Sequence, residues 1–413
     1  MGKVTAIKTG LTGFTGFELR GNPVNPVNPV EEKPWPRVKL GEVCAFHRGL
    51  TYSKKDEVTF SSNAVLRSNN VDLETGRLKL DDQKYIRDDF EIPSEKLVVK
   101  DAILMCMANG SKAHLGKVAL IDTEKRFAFG GFMGMLVPNQ EVIAGSYLYW
   151  VLSSHDFKQL VSSLTDGTNI NNLKFSDIDA FELPLPPIAV QHEIVARLEK
   201  ELAMVERMAK GFEVLKTEAD QLFKSTLKET FEEVLRGGAE TRRLGDVCEV
   251  LDSRRIPIAK SKRIAGSIPY YGATGVVEHV KDFIFDDRLV LLGEDGAKWG
   301  PGDNSAFIIE GKSWVNNHAH VLWACDELLD EFLVYHLNNA DLGDYITGVT
   351  VPKLNQQRMC QIEIPLPPLP TQRKIVAKLD AVRGRCEKLK RTAEEGLQTA
   401  ALMRKAILKE AFA

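Results

Sequence analysis

Apolar positions near the end of the chain recur at steps of four and three without a break: Ile375, Leu379, Val382, Cys386, Leu389, Ala393, Gly396, Ala400, Met403 and Ile407. That period belongs to a helix carrying a heptad seam. Moving back 181 positions meets Ile194, Leu198, Val205, Met208, Phe212, Leu215, Ala219, Leu222 and Thr226 in the same register, with one charged intruder, Glu201, beside Leu202. Two helices that share a register over so many turns are expected to pair with each other; the alternative is that each packs separately on its own domain. Ahead of each helix the pattern changes to short apolar runs. Those at 103–107 and 117–121, and again at 288–292 and 319–323, predict strands, while 147–152 and 327–338 predict shorter helices. The expected organisation is therefore α+β: one block over 37–187, a central long helix over 188–240, a second block over 241–368 and a distal long helix over 369–413. Residues 1–36 form an expected extended arm, because 22–30 spells Asn-Pro-Val three times and proline cannot join a central ladder.

The chain is a duplication. Lys39-Leu40-Gly41-Glu42-Val43-Cys44 returns as Arg243-Leu244-Gly245-Asp246-Val247-Cys248 at an offset of 204. Glu182-Leu183-Pro184-Leu185-Pro186-Pro187 returns as Glu363-Ile364-Pro365-Leu366-Pro367-Pro368 at an offset of 181, and the match continues through Gln191/Gln372 and Ile194-Val195-Ala196/Ile375-Val376-Ala377. The second copy is thus shorter between its two landmarks.

Composition narrows the class only moderately. The 413 residues are 44% hydrophobic and 27% charged, an ordinary globular balance that leaves room for several domains. Lys+Arg 54 against Asp+Glu 57 leaves a net charge of -3, so a nucleic-acid partner has to be held by local basic patches. No stretch approaches a membrane span or a signal peptide, and a cytoplasmic location is expected. The six cysteines are scattered with no C-x-x-C pair, which signals neither a disulfide framework nor a thiolate zinc site.

In these landmarks the chain resembles the specificity subunits of Type I restriction-modification systems. The resemblance rests on the Leu-Gly-x-Val start of each half, the Pro-Leu-Pro-Pro stop followed by Gln and Ile-Val-Ala, and the long helix after each block. In the second block it also rests on Ile268-Pro269-Tyr270-Tyr271-Gly272-Ala273-Thr274-Gly275, Asp295-Gly296 and Val315-Asn316-Asn317-His318-Ala319-His320. It implies that each block is a target-recognition domain reading one half of a bipartite, asymmetric DNA site, and that the two helices form an antiparallel coiled coil holding the domains apart. It further implies no catalysis in this chain: methylation belongs to modification subunits, two by expectation, and cleavage to a restriction motor subunit. S-adenosylmethionine, ATP and magnesium are expected in those partners, with no cofactor here. A helix of about 45 residues spans roughly 65 Å, longer than the roughly 34 Å of one duplex turn, so the length suits separated half-sites.

Residues 254–263 hold five bases and no acid (Arg254, Arg255, Lys260, Lys262, Arg263) in a loop-like stretch suited to phosphate contact. Asn316, Asn317 and His318 carry groups that fit base edges, or else a hydrogen-bonded turn. Tyr271, Thr274 and Lys298 of the same block join the expected DNA-binding set. In the first block the matching candidates are Arg67, Asn69 and Asn70, then Lys112 and His114, then Asn169, Asn171 and Asn172 in an Asn-rich loop. That loop occupies the place of 349–353 in the second copy, where Lys353 stands. The distal segment 372–413 holds 11 Lys/Arg and 5 Asp/Glu, while 191–236 holds 8 and 10, opposite balances that suit two helices lying side by side.

Three catalytic-looking patterns carry little. Residues 306–313 nearly spell a Walker A loop, but Ala306 replaces the first glycine and Trp314-Val315-Asn316 continues as strand. Asp303 with Glu310-x-Lys312 resembles a nuclease metal site, yet such short acidic-lysine spacings occur often by chance; the alternative function from another class is a self-contained metal-dependent nuclease with a coiled-coil dimerisation arm. His318-x-His320 on a strand would place both rings on one face, yet no third ligand is spaced to join them, so no metal is expected. No Asn-Pro-Pro-Tyr or Asp-Pro-Pro-Tyr stretch, which in amino-methyltransferases holds the flipped base, occurs.

Overall fold

The computed structural model describes residues 35–72, 76–165, 172–348 and 350–412. The arm at 1–34 and the candidates Asn169 and Asn171 lie outside them. Two compact units are present, one reaching to Ala196 and including Phe412, the other Arg197–Ala411.

In each unit the two repeated landmarks meet. The strand Arg37–Lys39 pairs antiparallel with Glu182–Pro184, and Thr241–Arg243 pairs with Glu363–Pro365 in the same way. Each Leu-Gly-x-Val stretch then forms one helical turn, Leu40–Val43 or Leu244–Val247, with its Leu and Val buried. The glycine follows from packing: a Cβ on Gly41 would lie 3.2 Å from the Asp179 Cβ, and one on Gly245 would lie 3.0 Å from the Cys360 Cβ. Start and stop of a block therefore recur together because they are hydrogen-bonded neighbours.

The strands between these landmarks build the same pair of sheets twice. One antiparallel sheet runs Cys44–Arg48, Met133–Pro138, Ile103–Cys106, Val118–Leu120 in the first unit and Cys248–Val250, Ala319–Ala324, Leu289–Gly293, Ala306–Ile309 in the second. Its inner strands Ile103–Cys106 and Leu289–Gly293 are buried along their whole length, which explains unbroken apolar runs in place of alternation. The other sheet contains a parallel pair, Asn63–Leu66 with Ala128–Phe129 and Ala265–Gly272 with Lys312–Val315. Its fourth strand differs between the copies: Glu57–Val58 lies outside Lys84–Ile86, whereas Phe285–Asp286 lies outside Lys312–Val315. The Walker-like stretch is strand, turn and strand, Ala306–Ile309 then Lys312–Val315 in the other sheet, with Gly311 at φ 75°. It opens no helix on which a phosphate could sit.

The long helices are Ile188–Arg236 and Leu369–Glu410, of 49 and 42 residues. Within the second unit they run antiparallel, since Lys216 pairs with Glu394, Asp220 with Lys390 and Glu233 with Lys378. The expected seam is present but it drifts. Leu198, Val205, Ile375 and Leu379 are buried, while Ile194, Phe212, Leu215, Val382 and Ile407 are half-buried. Leu222 faces out and Phe223 takes its place; Glu201 yields to Leu202; Met208, Leu389 and Met403 are exposed. A helix of 3.6 residues per turn rotates by about 20° per heptad against a strict 3.5 repeat, so neighbours of the ideal positions inherit the contact. Small residues at Ala393, Gly396 and Ala400 admit the facing helix: a Cβ on Gly396 would lie 2.4 Å from the Phe212 ring.

Candidate nucleic-acid interface

In the first unit three separated candidate segments converge at one end of the sheet. The short turn Ser68–Asn70 follows the strand Asn63–Leu66, and its Ser68 Oγ accepts from Asn109 Nδ2 at 3.1 Å. Asn109 follows the strand Ile103–Cys106, and its neighbour Ala108 bridges to Asn172. Lys112, in the turn Lys112–His114, donates its Nζ to the Thr165 carbonyl at 2.7 Å. Asn69, Lys112 and Asn172 are exposed. Arg67 is half-buried against Asp82, its Nε without a partner among the described residues, and His114 Nδ1 is likewise unpartnered. Burial and the nearby Lys117 charge push the His114 imidazole below its ordinary range. Asn70 is a correction. It is fully buried, with Oδ1 accepting from Arg67 N and Nδ2 donating to the Lys79 and Asp82 carbonyls, so it builds the turn and has no groups left for a base. Asn109 was not legible as a site residue, though it stands two positions before Ser111-Lys112.

In the second unit a cleft of about 570 Å³ is lined by Arg263, Tyr270, Asn317 and His318 among others, with Pro257 and Val277 as apolar walls. Arg254, Lys260, Lys262, Thr274, Lys298, Asn317 and His318 are exposed, and Tyr271 is half-buried. The Arg254 guanidinium lies 4.8 Å from the centre of the Phe285 ring. Two of the five loop bases are spent inside the fold. Arg255 is nearly buried, donating to Glu294 at 2.6 Å, pairing with Asp252 at 3.2 Å and bonding the Ala319 carbonyl. Arg263 donates to Glu278 and the Ile258 carbonyl and stacks on Tyr270 at 4.3 Å; the Glu278 hydrogen bond holds its proton more firmly. Asn316 is also buried, its Oδ1 accepting from His318 N, as in the hydrogen-bonded turn weighed for it.

Arg255 belongs to a buried ionic cluster under this cleft. His320 Nδ1 faces Asp252 Oδ2 at 2.5 Å and its Nε2 faces the Leu354 carbonyl at 2.7 Å. Glu294 accepts from Lys353 at 2.7 Å and from Arg255; burial alone would raise its carboxyl, but these two cations hold it below the usual range. Lys353 is raised in turn, chiefly by that hydrogen bond. The two histidines do not share a face: His318 sits in a turn with its ring on Asp295, exposed, while His320 is the fully buried second residue of the strand Ala319–Ala324. Asp252, Glu294 and His320 do lie close enough to surround a cation, yet Arg255 and Lys353 already supply the positive charge there. In the first unit Met107 takes the place of Glu294. Leu173 N donates to the Met107 carbonyl where Leu354 N donates to that of Glu294, and a Cβ on Gly134 would lie 2.8 Å from both the Met107 side chain and the Phe175 ring.

Comparison with known proteins agrees with this layout. The family model described as the Type I restriction modification DNA specificity domain matches residues 32–209 and 237–398, one match per half. The StySPI specificity subunit of Salmonella potsdam is 24% identical over 92% of this chain and 88% of its own length. The EcoKI specificity subunit of Escherichia coli K12 is 30% identical over 43% of this chain and 38% of its own. A specificity subunit described as putative from Haemophilus influenzae is 35% identical over 37% of this chain, an alignment that spans only 40% of that relative. A solved chain of a type I R-M system superposes with a TM-score of 0.73 at 20% identity, covering 92% of this chain and 97% of that one. The HsdS subunit of Thermoanaerobacter tengcongensis superposes with a TM-score of 0.60 at 21% identity over the same shares. With both halves matched in order, each strand-paired block followed by its long helix, the chain belongs to the family of Type I restriction-modification DNA specificity subunits.

Proposed function

We propose that the two blocks each read one half of a bipartite, asymmetric duplex DNA site, while methylation and cleavage are carried out by separate modification and motor subunits that dock on this chain. The observation that carries this reading is that one scaffold, built twice, presents different side chains at matched places. Asn172 bridges to Ala108 where Lys353 bridges to Asp295. Two diverged readers on one frame suit two different half-sites. Against the nuclease alternative stands the placement of its residues: Asp303 accepts from Gly300 N, Glu310 pairs with Arg288 and Lys312 lies over the Phe283 ring, while the acids of the ionic cluster are neutralised from within by Arg255 and Lys353. S-adenosylmethionine, ATP and magnesium belong, on this reading, to the partner subunits.

The test is salt-dependent binding to duplex by the full chain with its modification subunits, together with the methylated motif in cells. Replacing Lys260 and Lys262 by Ala should weaken binding to all duplexes and reduce the salt slope by roughly 2, since each phosphate contact contributes about 0.9. An unchanged slope would remove this loop from the phosphate surface. Methyl transfer by the pure chain alone would overturn the division of labour.

A further inference from the structure

The duplication aligns two exposed side chains that the function proposed above does not itself assign to each other. In the first unit the Phe132 carbonyl accepts from Met107 N and Ala108 N at 2.9 and 3.0 Å; in the second the His318 carbonyl accepts from Glu294 N at 2.8 Å. Met107 and Glu294 hold the same place, because the Met107 carbonyl accepts from Leu173 N and the Glu294 carbonyl from the matching Leu354 N. Phe132 and His318 are therefore equivalent positions, each immediately before the strand Met133–Pro138 or Ala319–Ala324.

Phe132 is 73% exposed, an unusual cost for a phenyl ring in water. Its backbone is held firmly. Met133 N donates to Gly130 O, Gly49 N to Met133 O and Leu50 N to Phe129 O, and the chain at Gly49 runs so close that a Cβ there would lie 1.9 Å from the Gly130 oxygen. Through the Ala108 N–H its backbone is tied to the segment that gathers Asn109 and Asn172. A bare aromatic on a stiff turn, bonded through its backbone to a segment that carries amides, has the make-up of a base-contacting tip, not of a core residue left outside.

We propose that Phe132 is the specificity-determining tip of the first block, the apolar counterpart of His318, and that it contacts an apolar base surface in its half-site, either a thymine methyl group or the face of an unstacked base. The inference rests on the DNA-reading function proposed above. The test uses the full chain assembled with its modification subunits, the methylated motif mapped in cellular DNA, and duplexes carrying that motif. Phe132→Ala should bind the motif roughly tenfold more weakly, the equivalent of one lost base contact, and should lose or relax methylation at one half of the motif. The salt slope and the melting temperature should stay as in the wild type. His318→Ala should degrade the other half. Uracil in place of thymine in the affected half separates the two sources: sensitivity in the wild type that vanishes in Phe132→Ala marks a methyl contact. A Phe132-dependent rise in 2-aminopurine fluorescence marks an unstacked base. Wild-type affinity and motif in Phe132→Ala, damage by both variants to the same half, or neither DNA signal would overturn the proposal. A wild-type complex that methylates no bipartite motif would instead overturn the DNA-reading function on which it rests.

Discussion

At the scale of single residues the duplication shows most clearly in two glutamines. Gln191 is fully buried, its Oε1 accepting from Ala144 N and its Nε2 donating to the Val142 and Pro186 carbonyls. Gln372 repeats this arrangement with Leu329 N and the Glu327 and Pro367 carbonyls. One amide thus ties the first turn of each long helix both to the loop before it and to the segment that leads into the block's shorter helix Gly145–Ser153 or Asp330–Asn339. Gln372→Ala leaves three buried backbone groups short of a partner at about 1–3 kcal/mol each where water cannot reach them, and a loss of roughly 2–5 kcal/mol in urea melts is expected. A loss below about 1 kcal/mol would show that water replaces the amide. His336 makes a second residue-scale prediction. Its Nε2 bonds the Glu363 carbonyl, and burial lowers its pKa to about 4. The unfolded chain, with a pKa near 6.5, therefore takes up a proton that the folded chain refuses. The stability contributed by neutral His336 is present above about pH 6.5 and is lost as pH falls toward 4. Going from pH 7 to 5 should cost about 2 kcal/mol in the wild type. His336→Gln, which keeps a donor for the carbonyl and cannot titrate, should show a shallower acid limb by that amount in the same melts.

At the scale of elements, periodicity was legible and partnership was not. The seam could be read from spacing because helix contact repeats in sequence, and even its drift past Leu222 to Phe223 follows from the difference between 3.5 and 3.6 residues per turn. The loops gave no such signal. Arg255 and Arg263 look like Lys260 and Lys262 in a list of bases, but their acids Glu294 and Glu278 stand 39 and 15 residues away, brought near only by the sheets. The one local hint was Asp252, three residues before Arg255. Asn70 and Asn316 show the same ambiguity, since an amide suited to a base edge is equally suited to closing a turn, and both close turns here. For the long helices a direct expectation follows. Inserting seven residues into each helix where Phe212 meets Gly396 advances the face by only about 20°, so the seam continues and the melting temperature should stay within a few degrees. Inserting five rotates the flanking turns by roughly 140° at about 100° per residue and turns charged positions into the seam. That variant should melt at least about 10 °C lower or fail to fold, and equal melting of the two would mean that the seam contributes little.

At the scale of the whole chain, what repeats is a frame and what differs is its fittings. Each block opens and closes on the same antiparallel pair, Arg37–Lys39 with Glu182–Pro184 and Thr241–Arg243 with Glu363–Pro365. All the candidate DNA-binding residues lie between those closures. A block can accordingly be joined at its closing strands, where the junction is a backbone ladder indifferent to most side chains, while Phe332 on Phe231 and Tyr335 donating to Asp380 are contacts with the long helices that a graft has to remake. Placing residues 244–362 of the second block in the position of 40–181 requires that the graft accept the first unit's Gln191 amide, which binds the Val142 and Pro186 carbonyls. Gln372 makes the same kind of bonds to Glu327 and Pro367, so the graft brings its own acceptor at Glu327. The expected chimera folds with cooperative melting and, in cells with the modification subunits, directs methylation to a motif in which both halves carry the sequence formerly read by the second block. A chimera that folds but retains two different half-sites would mean that sequence is read from outside the blocks, by the helices or the arm, and the assignment of one half-site to each block would be wrong.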